Sequence, residues 1–217
     1  MKKAYATIVL TAALLPLLTA CGGYDYSAHV SEARTDVFCA ETEEFTVSLS
    51  CTAREYPYAS DGIACPTTKV AEISLIPKER AEGGYEVYVR GDKEWGGETS
   101  FRNTHGDYFY SQGVEAFPEK SVSMRIVWEG GEREITATSV KNENTLTIND
   151  ALDCAVKAEK ETVSRMTKNG RFNGEFYVRL LRRNTNYYYV GIVDTEGKTI
   201  SLLLNSETGE VLARREN

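Results

Sequence analysis

Histidines, cysteines and a surplus of tyrosines are the residues of this chain best suited to chemistry. Imidazole is the usual acid–base group at neutral pH, and only His29 and His105 carry it. His29 lies in a polar stretch without periodicity. His105 sits in NTHGDYFY, beside Gly106 and Asp107. A His-Gly-Asp loop would orient a nucleophile or hold a metal, so His105 and Asp107 are the candidate site of an enzyme reading. One imidazole with one carboxylate is too little for a tight transition-metal site, and no metal or cofactor is assigned. The adjacent glycine makes a turn histidine the simpler expectation. GxSxG, HExxH, Walker and GxGxxG patterns do not occur. The chain is therefore expected not to be an enzyme, and no catalytic residue is assigned.

Four cysteines follow the N-terminal region: Cys39, Cys51, Cys65 and Cys154. An even number in a chain read below as exported favours two disulfides. Of the three connectivities, Cys51–Cys65 across a hairpin is preferred, which leaves Cys39 to join Cys154. A zinc site would need close CxxC pairs, and these spacings lack them.

The tyrosines number 13. Tyr56 with Tyr58, and Tyr108 with Tyr110, fall in loop-like segments at i and i+2, so each pair points to one side if extended. A tyrosine offers a flat apolar face and a polar tip, suited to sugar or protein contacts. These four are the candidate binding residues. Tyr187 to Tyr189 read as strand residues. Between Arg165 and Arg183 six basic side chains (Arg165, Lys168, Arg171, Arg179, Arg182, Arg183) meet a single acid, Glu175. Such a run faces either anionic envelope polymers or an acidic neighbour within the chain.

Charge divides the chain. Residues 21–150 hold 12 basic and 23 acidic side chains, net −11, and residues 151–217 hold 11 and 9, net +2. The asymmetry suggests two modules, and the acidic one would repel nucleic acid. With 41% hydrophobic residues the chain can build a core.

Periodicity supplies the elements that must position these groups. Phe45, Val47, Leu49, Cys51 and Ala53 alternate with polar residues, the period of a half-buried strand. YPYASDGIACP is punctuated as a loop. Strand-like runs recur at 69–76, 85–90, 121–128 and 132–140. A tight turn at Gly130-Gly131 would set Ile126 opposite Ile135, Met124 opposite Ala137 and Trp128 opposite Arg133. Several short strands with frequent turns suggest an immunoglobulin-like antiparallel β-sandwich over 35–145. From 149 to 168 neither Gly nor Pro occurs, and Leu152, Ala155, Val156, Val163 and Met166 form a helical stripe broken by Glu159. Asn149 or Thr147 would cap it and Asn169-Gly170 would end it. Strand candidates at 175–183, 187–194, 199–205 and 211–215 follow. The expected fold is mainly β with an α+β C-terminal part, 146–217, in which one helix covers a four-stranded antiparallel meander.

The N-terminus sets the location. Lys2 and Lys3 precede an uncharged run from Ala4 to Leu18, interrupted by Pro16. It falls short of the about 20 residues of a membrane span and reads as a signal peptide, 1–20. Its close, Leu18-Thr19-Ala20-Cys21, resembles the lipobox of bacterial lipoproteins. The resemblance implies cleavage before Cys21 and a thioether-linked diacylglycerol on its sulfur, the membrane anchor. Gly22-Gly23 and the polar residues beyond would form a lipidated tether over 21–34. The segment YYYVGIVDTEGKTISLLLNSETGEVL, 187–212, resembles the end of a PepSY-type domain, which implies a small extracytoplasmic module contacting proteins, sometimes peptidases.

The expected function is a lipid-anchored extracytoplasmic binding or scaffolding module for a protein, glycan or envelope polymer, on the cell membrane or an outer membrane. The rival is an envelope hydrolase or peptidase-regulating factor.

Overall fold

The computed structural model describes residues 24–79, 83–91 and 93–217. The signal peptide and Cys21 lie outside the described residues. The fold is mostly antiparallel β with its helical part late in the chain, as expected from the sequence. Nine strands come first: β1 (Val30–Glu41), β2 (Phe45–Glu55), β3 (Thr67–Pro77), β4 (Tyr85–Val89), β5 (Trp95–Glu98), β6 (Ser100–Arg102), β7 (Asp107–Gly113), β8 (Ser121–Trp128) and β9 (Gly131–Ser139). Helices α1 (Ile148–Ala158) and α2 (Lys160–Met166) follow. A two-residue ribbon of β10 (Thr167–Lys168) and β11 (Arg171–Phe172) leads into the meander β12 (Gly174–Arg182), β13 (Asn186–Asp194), β14 (Thr199–Asn205) and β15 (Val211–Glu216).

Pairings and one chain connection curl the first nine strands on themselves. The ladder runs β1-β2-β3-β7-β6 in one direction and β1-β9-β8-β4-β5 in the other. Only Thr99 separates β5 from β6, and its amide and hydroxyl both donate to the Tyr85 carbonyl. The two layers expected of a sandwich are thus joined along both edges into a barrel-like curl. Alternation explains its core. Phe45, Val47, Leu49 and Cys51 of β2 are at most 1% exposed, and they meet Ile73, Leu75, Val87, Met124 and Ile126.

β1 joins this barrel to the meander. One of its edges pairs with β2, from Glu32↔Arg54 to Glu41↔Thr46. Its other edge is divided. The first half pairs in parallel with β12, from Val30↔Phe176 to Arg34↔Arg179. The end pairs antiparallel with β9 at Phe38↔Ser139 and Cys39↔Thr138. A bulge between Arg34 and Asp36 marks the change. Past Arg34, β12 and β1 part company, and the sheet forks.

The 21–34 tether expectation is corrected here. Residues 30–34 are central strand, and residues 24–29 are docked. Tyr24 bonds His29 Nε2 at 2.8 Å and accepts the Phe172 amide at 3.2 Å. Tyr26 and His29 stand edge-on to Phe172. The stretch reads as polar because Glu32 and Arg34 face outward and find charged partners there. His29 is accordingly held, not loose.

The β8–β9 register also differs from expectation. Met124 lies opposite Ile135, Ile126 opposite Arg133 and Trp128 opposite Gly131. The turn is Glu129-Gly130, so every pair slips by two. An even slip preserves the faces, and Met124, Ile126, Ile135 and Ala137 still share the core. Arg133 does not reach Trp128 in this register. It pairs with Glu44.

The helical stripe is two helices rather than one. Thr147 caps α1 in a reciprocal capping box with Asp150. Ala151, Leu152 and Ala155 pack on Phe176, Val178, Leu180 and Tyr188. Glu159 interrupts the stripe because it is polar. There its carboxylate accepts from Arg214 Nε at 2.6 Å and from Thr162. Asn169-Gly170 forms the ribbon turn, with both residues at positive φ.

Candidate functional site

The barrel interior opens at one end into a cleft of about 1160 Å³. Alternation along β7 carries Tyr108, Tyr110 and Gln112 inward in sequence toward that mouth. Each pairs across to an inward residue of β3: Leu75, Ile73 and Ala71 respectively. Tyr108 is 5% exposed, with Tyr85 and Phe101 at ring distances of 4.7 and 5.0 Å. One step up, Tyr110 stacks on Trp95 at 6.5 Å and donates its hydroxyl to Gln112 Oε1 at 2.6 Å. Gln112 and Trp95 line the cleft, along with Val89, Val114, Phe117 and Val122.

Backbone geometry places Trp95. It lies opposite Val89 at the start of β5. The next residue, Gly96, takes a φ of 147°, and a Cβ there would collide with the Val87 carbonyl. Glycine lets β5 press onto β4 and holds the indole at the mouth. Phe117 is covered on one side by Lys69, whose ammonium lies 5.8 Å from the ring centre. The rim is polar: Arg90 bridges Glu94 at 2.6 Å and Glu134 at 2.8 Å, and Ser121 and Ser123 stand nearby. Half-buried aromatic faces under a hydrogen-bonding rim suit an amphipathic ligand such as a sugar ring.

The structure separates the four candidate tyrosines. Tyr108 is core and Tyr110 supports the cleft from beneath. Tyr56 is 83% exposed, and Tyr58 lies edge-on to Tyr177 at 5.6 Å, on a different part of the molecule. No single aromatic patch unites them. Trp95, Gln112 and Phe117 went unrecognised from sequence. The available signal was the Trp-Gly-Gly step, whose meaning depends on β4 running alongside.

His105 occupies an exposed turn, its amide donating to the Arg102 carbonyl and its ring bonded, among the described residues, to Thr104 alone. Asp107 is buried and fully engaged. Burial works against its charge, but hydrogen bonds from Arg102 and Ser74 hold its carboxyl below the usual range. Neither residue lines the cleft. An aspartate committed to Arg102 is a structural ion pair, not the orienting partner of a catalytic imidazole.

The disulfide expectation is corrected as well: Cys39, Cys51, Cys65 and Cys154 are all free thiols. Cys51 points into the barrel, where burial pushes its thiol up to about 12, while Cys65 is exposed on the following loop. Cys39 lies on the outer face of β1, and Cys154 sits on α1 beneath the β14–β15 turn, facing Gly209. Each pairing would draw a side chain through the sheet or out of its core.

Among the described residues, no helix is long and apolar enough to cross a membrane, and no cluster of three or more His, Cys, Asp or Glu side chains could hold a metal. Compared with known proteins, the chain matches no family model, no curated protein and no solved structure.

Proposed function

We propose that this chain is a lipid-anchored extracytoplasmic binding protein, and that the barrel-mouth cleft takes a sugar-containing segment of an envelope polymer. The observation that carries the reading is the cleft itself: Trp95 and Phe117 on its walls, Gln112 at its floor and a charged, hydroxyl-bearing rim. Indole and phenyl faces stack on the apolar face of a pyranose, and Gln112, Ser121 and Ser123 offer donors and acceptors to its hydroxyls. The Tyr110–Trp95 stack pre-orients the indole, which lowers the entropy lost on binding. The anchor is supported by the lipobox-like run ending at Cys21.

Two experiments test this. Titration of soluble envelope-polysaccharide fragments into the protein should give saturable binding that Trp95→Ala weakens by roughly 30-fold or more, the loss typical of a central aromatic contact. Equal affinity in wild type and Trp95→Ala would refute the site. Metabolic labelling with a palmitate analogue should mark the wild-type chain and not Cys21→Ser. An unlabelled, unprocessed chain would refute the anchor. The hydrolase reading draws no support from His105, which stands at a solvated turn away from the cleft.

A further inference from the structure

Where β12 leaves β1, the fork of the sheet opens a second groove of about 510 Å³. Its floor is the outer face of β1 and β2, carrying Cys39, Thr46, Ser48 and Ser50. Its wall is the end of β12, with Leu181, Arg182 and Arg183, and Arg34 closes the inner end. Three guanidinium groups and three hydroxyls thus converge on one cavity in a protein of net charge −7.

The charges there are not internally balanced. Arg34 is the half-buried one, with Thr52 Oγ1 at 3.3 Å and Glu72 at 3.5 Å, but Glu72 lies closer to Arg54, at 3.0 Å. The other nearby acid, Glu32, is taken up by Arg179 through bonds of 2.8 and 2.6 Å. Arg182 and Arg183 are exposed, and neither has an acid within ion-pair distance among the described residues. Among the described residues, the only carboxylate lining the groove, Glu41, pairs with Lys78. The Ser48 and Ser50 side chains are half-buried, and their hydroxyls have no hydrogen-bond partner among the described residues. Burial further depresses the basicity of Arg34, as expected of a cation short of compensation.

We propose that this groove binds a phosphate ester, with Arg34, Arg182 and Arg183 meeting its anionic oxygens and Ser48 and Ser50 donating from the floor. A phosphate monoester matches the donor set better than a carboxylate: three terminal oxygens and close to two charges can use three guanidinium forks and two hydroxyls together. A carboxylate, with two oxygens, leaves part of the set idle. The groove lies on the outer face of the sheet and shares no residue with the barrel-mouth cleft, so the inference stands or falls independently of that reading.

The test uses the full chain in detergent, titrated with sn-glycerol 3-phosphate and with acetate while backbone amide signals are followed, and separately mixed with phosphatidic acid or phosphatidylcholine vesicles. Glycerol 3-phosphate should shift the amides of Ser48, Ser50, Arg182 and Arg183 saturably, acetate much more weakly. The exposed double variant Arg182→Glu/Arg183→Glu should lose at least about tenfold in affinity. Trp95→Ala should leave it unchanged. Binding to the soluble ester supports the site with a soluble source. Binding only to phosphatidic acid vesicles, lost in the double variant, supports it with a lipid headgroup source. Failure of every phosphate probe, affinity for acetate equal to that for the ester, or affinity unaltered by the double charge reversal would overturn it.

Discussion

The barrel and the meander solve the same problem, a sheet with one apolar face, in opposite ways. The barrel curls until β5–β6 connects β4 to β7, so its apolar face becomes an interior with a cleft at one end. The meander stays open and covers its apolar face with α1 and α2, which leaves the other face to charged and polar groups. Closure concentrates aromatic side chains at a mouth. Openness puts Arg179, Glu32 and Tyr177 on the outer face of the sheet, where Arg179 bonds Glu32 and lies over the Tyr177 ring. The proposed sugar site belongs to the first region and the proposed phosphate site to the fork where the two meet.

Because β1 lies in both regions, they should unfold together. Phe176→Ala, in the meander core, and Leu49→Ala, in the barrel core, should each cost about 2–5 kcal/mol. Each should lower one common denaturation midpoint, followed by far-UV circular dichroism and tryptophan fluorescence. Two separated transitions would break the comparison, showing two bodies and not one sheet. Glu32→Gln removes the acid that bridges β1 to β12 and leaves Arg179 half-buried without a countercharge. The expected loss is roughly 2–3 kcal/mol, less than a fully buried pair because Arg179 keeps some solvent contact. Amide exchange should accelerate along β12 before it does in β7.

Acidity should separate the regions more finely. The Asp107 carboxyl of the barrel has a lowered pKa, so its contribution is present above the ordinary aspartate value and is lost as pH falls through the folded one. Glu55, beneath the loop that reaches the meander, is held up by burial and then by Glu175. Its effect has the reverse sign: it erodes stability as pH rises from the ordinary glutamate value through the folded one. Asp107→Asn should therefore flatten the acid side of the stability profile and Glu55→Gln the side just above it. The smallest effect is expected at the helix cap, where Thr147→Ala should cost about 1 kcal/mol and leave ligand binding untouched.

Local pattern made part of this molecule legible. The faces of β2, β8 and β14 follow from period-two alternation, because each has one dry side, whereas β12 is buried on both faces over its first five residues and β15 is exposed throughout. What escaped was non-local. β1 reads as a polar tether because Glu32 and Arg34 need partners on β12 and β3, which lie far along the chain. The hairpin slip of two residues came from the choice of turn, which alternation cannot fix because faces repeat every two. At the cleft, Tyr110 could be nominated by its spacing from Tyr108. Trp95 and Phe117 could not, since their convergence depends on barrel closure through Thr99. The cysteines misled because parity in an exported chain says nothing of which face of a sheet each thiol occupies.

The central claim is that the open end of the barrel is the ligand site. It is tested most directly by mapping amide and indole signals of the full chain while solubilised envelope polysaccharide is added. The account predicts that perturbations concentrate at Val89, Trp95, Gln112, Phe117 and Ser123, with the Trp95 indole moving most and Trp128 staying still. Perturbations confined to the meander, or none at saturating polymer, would contradict it.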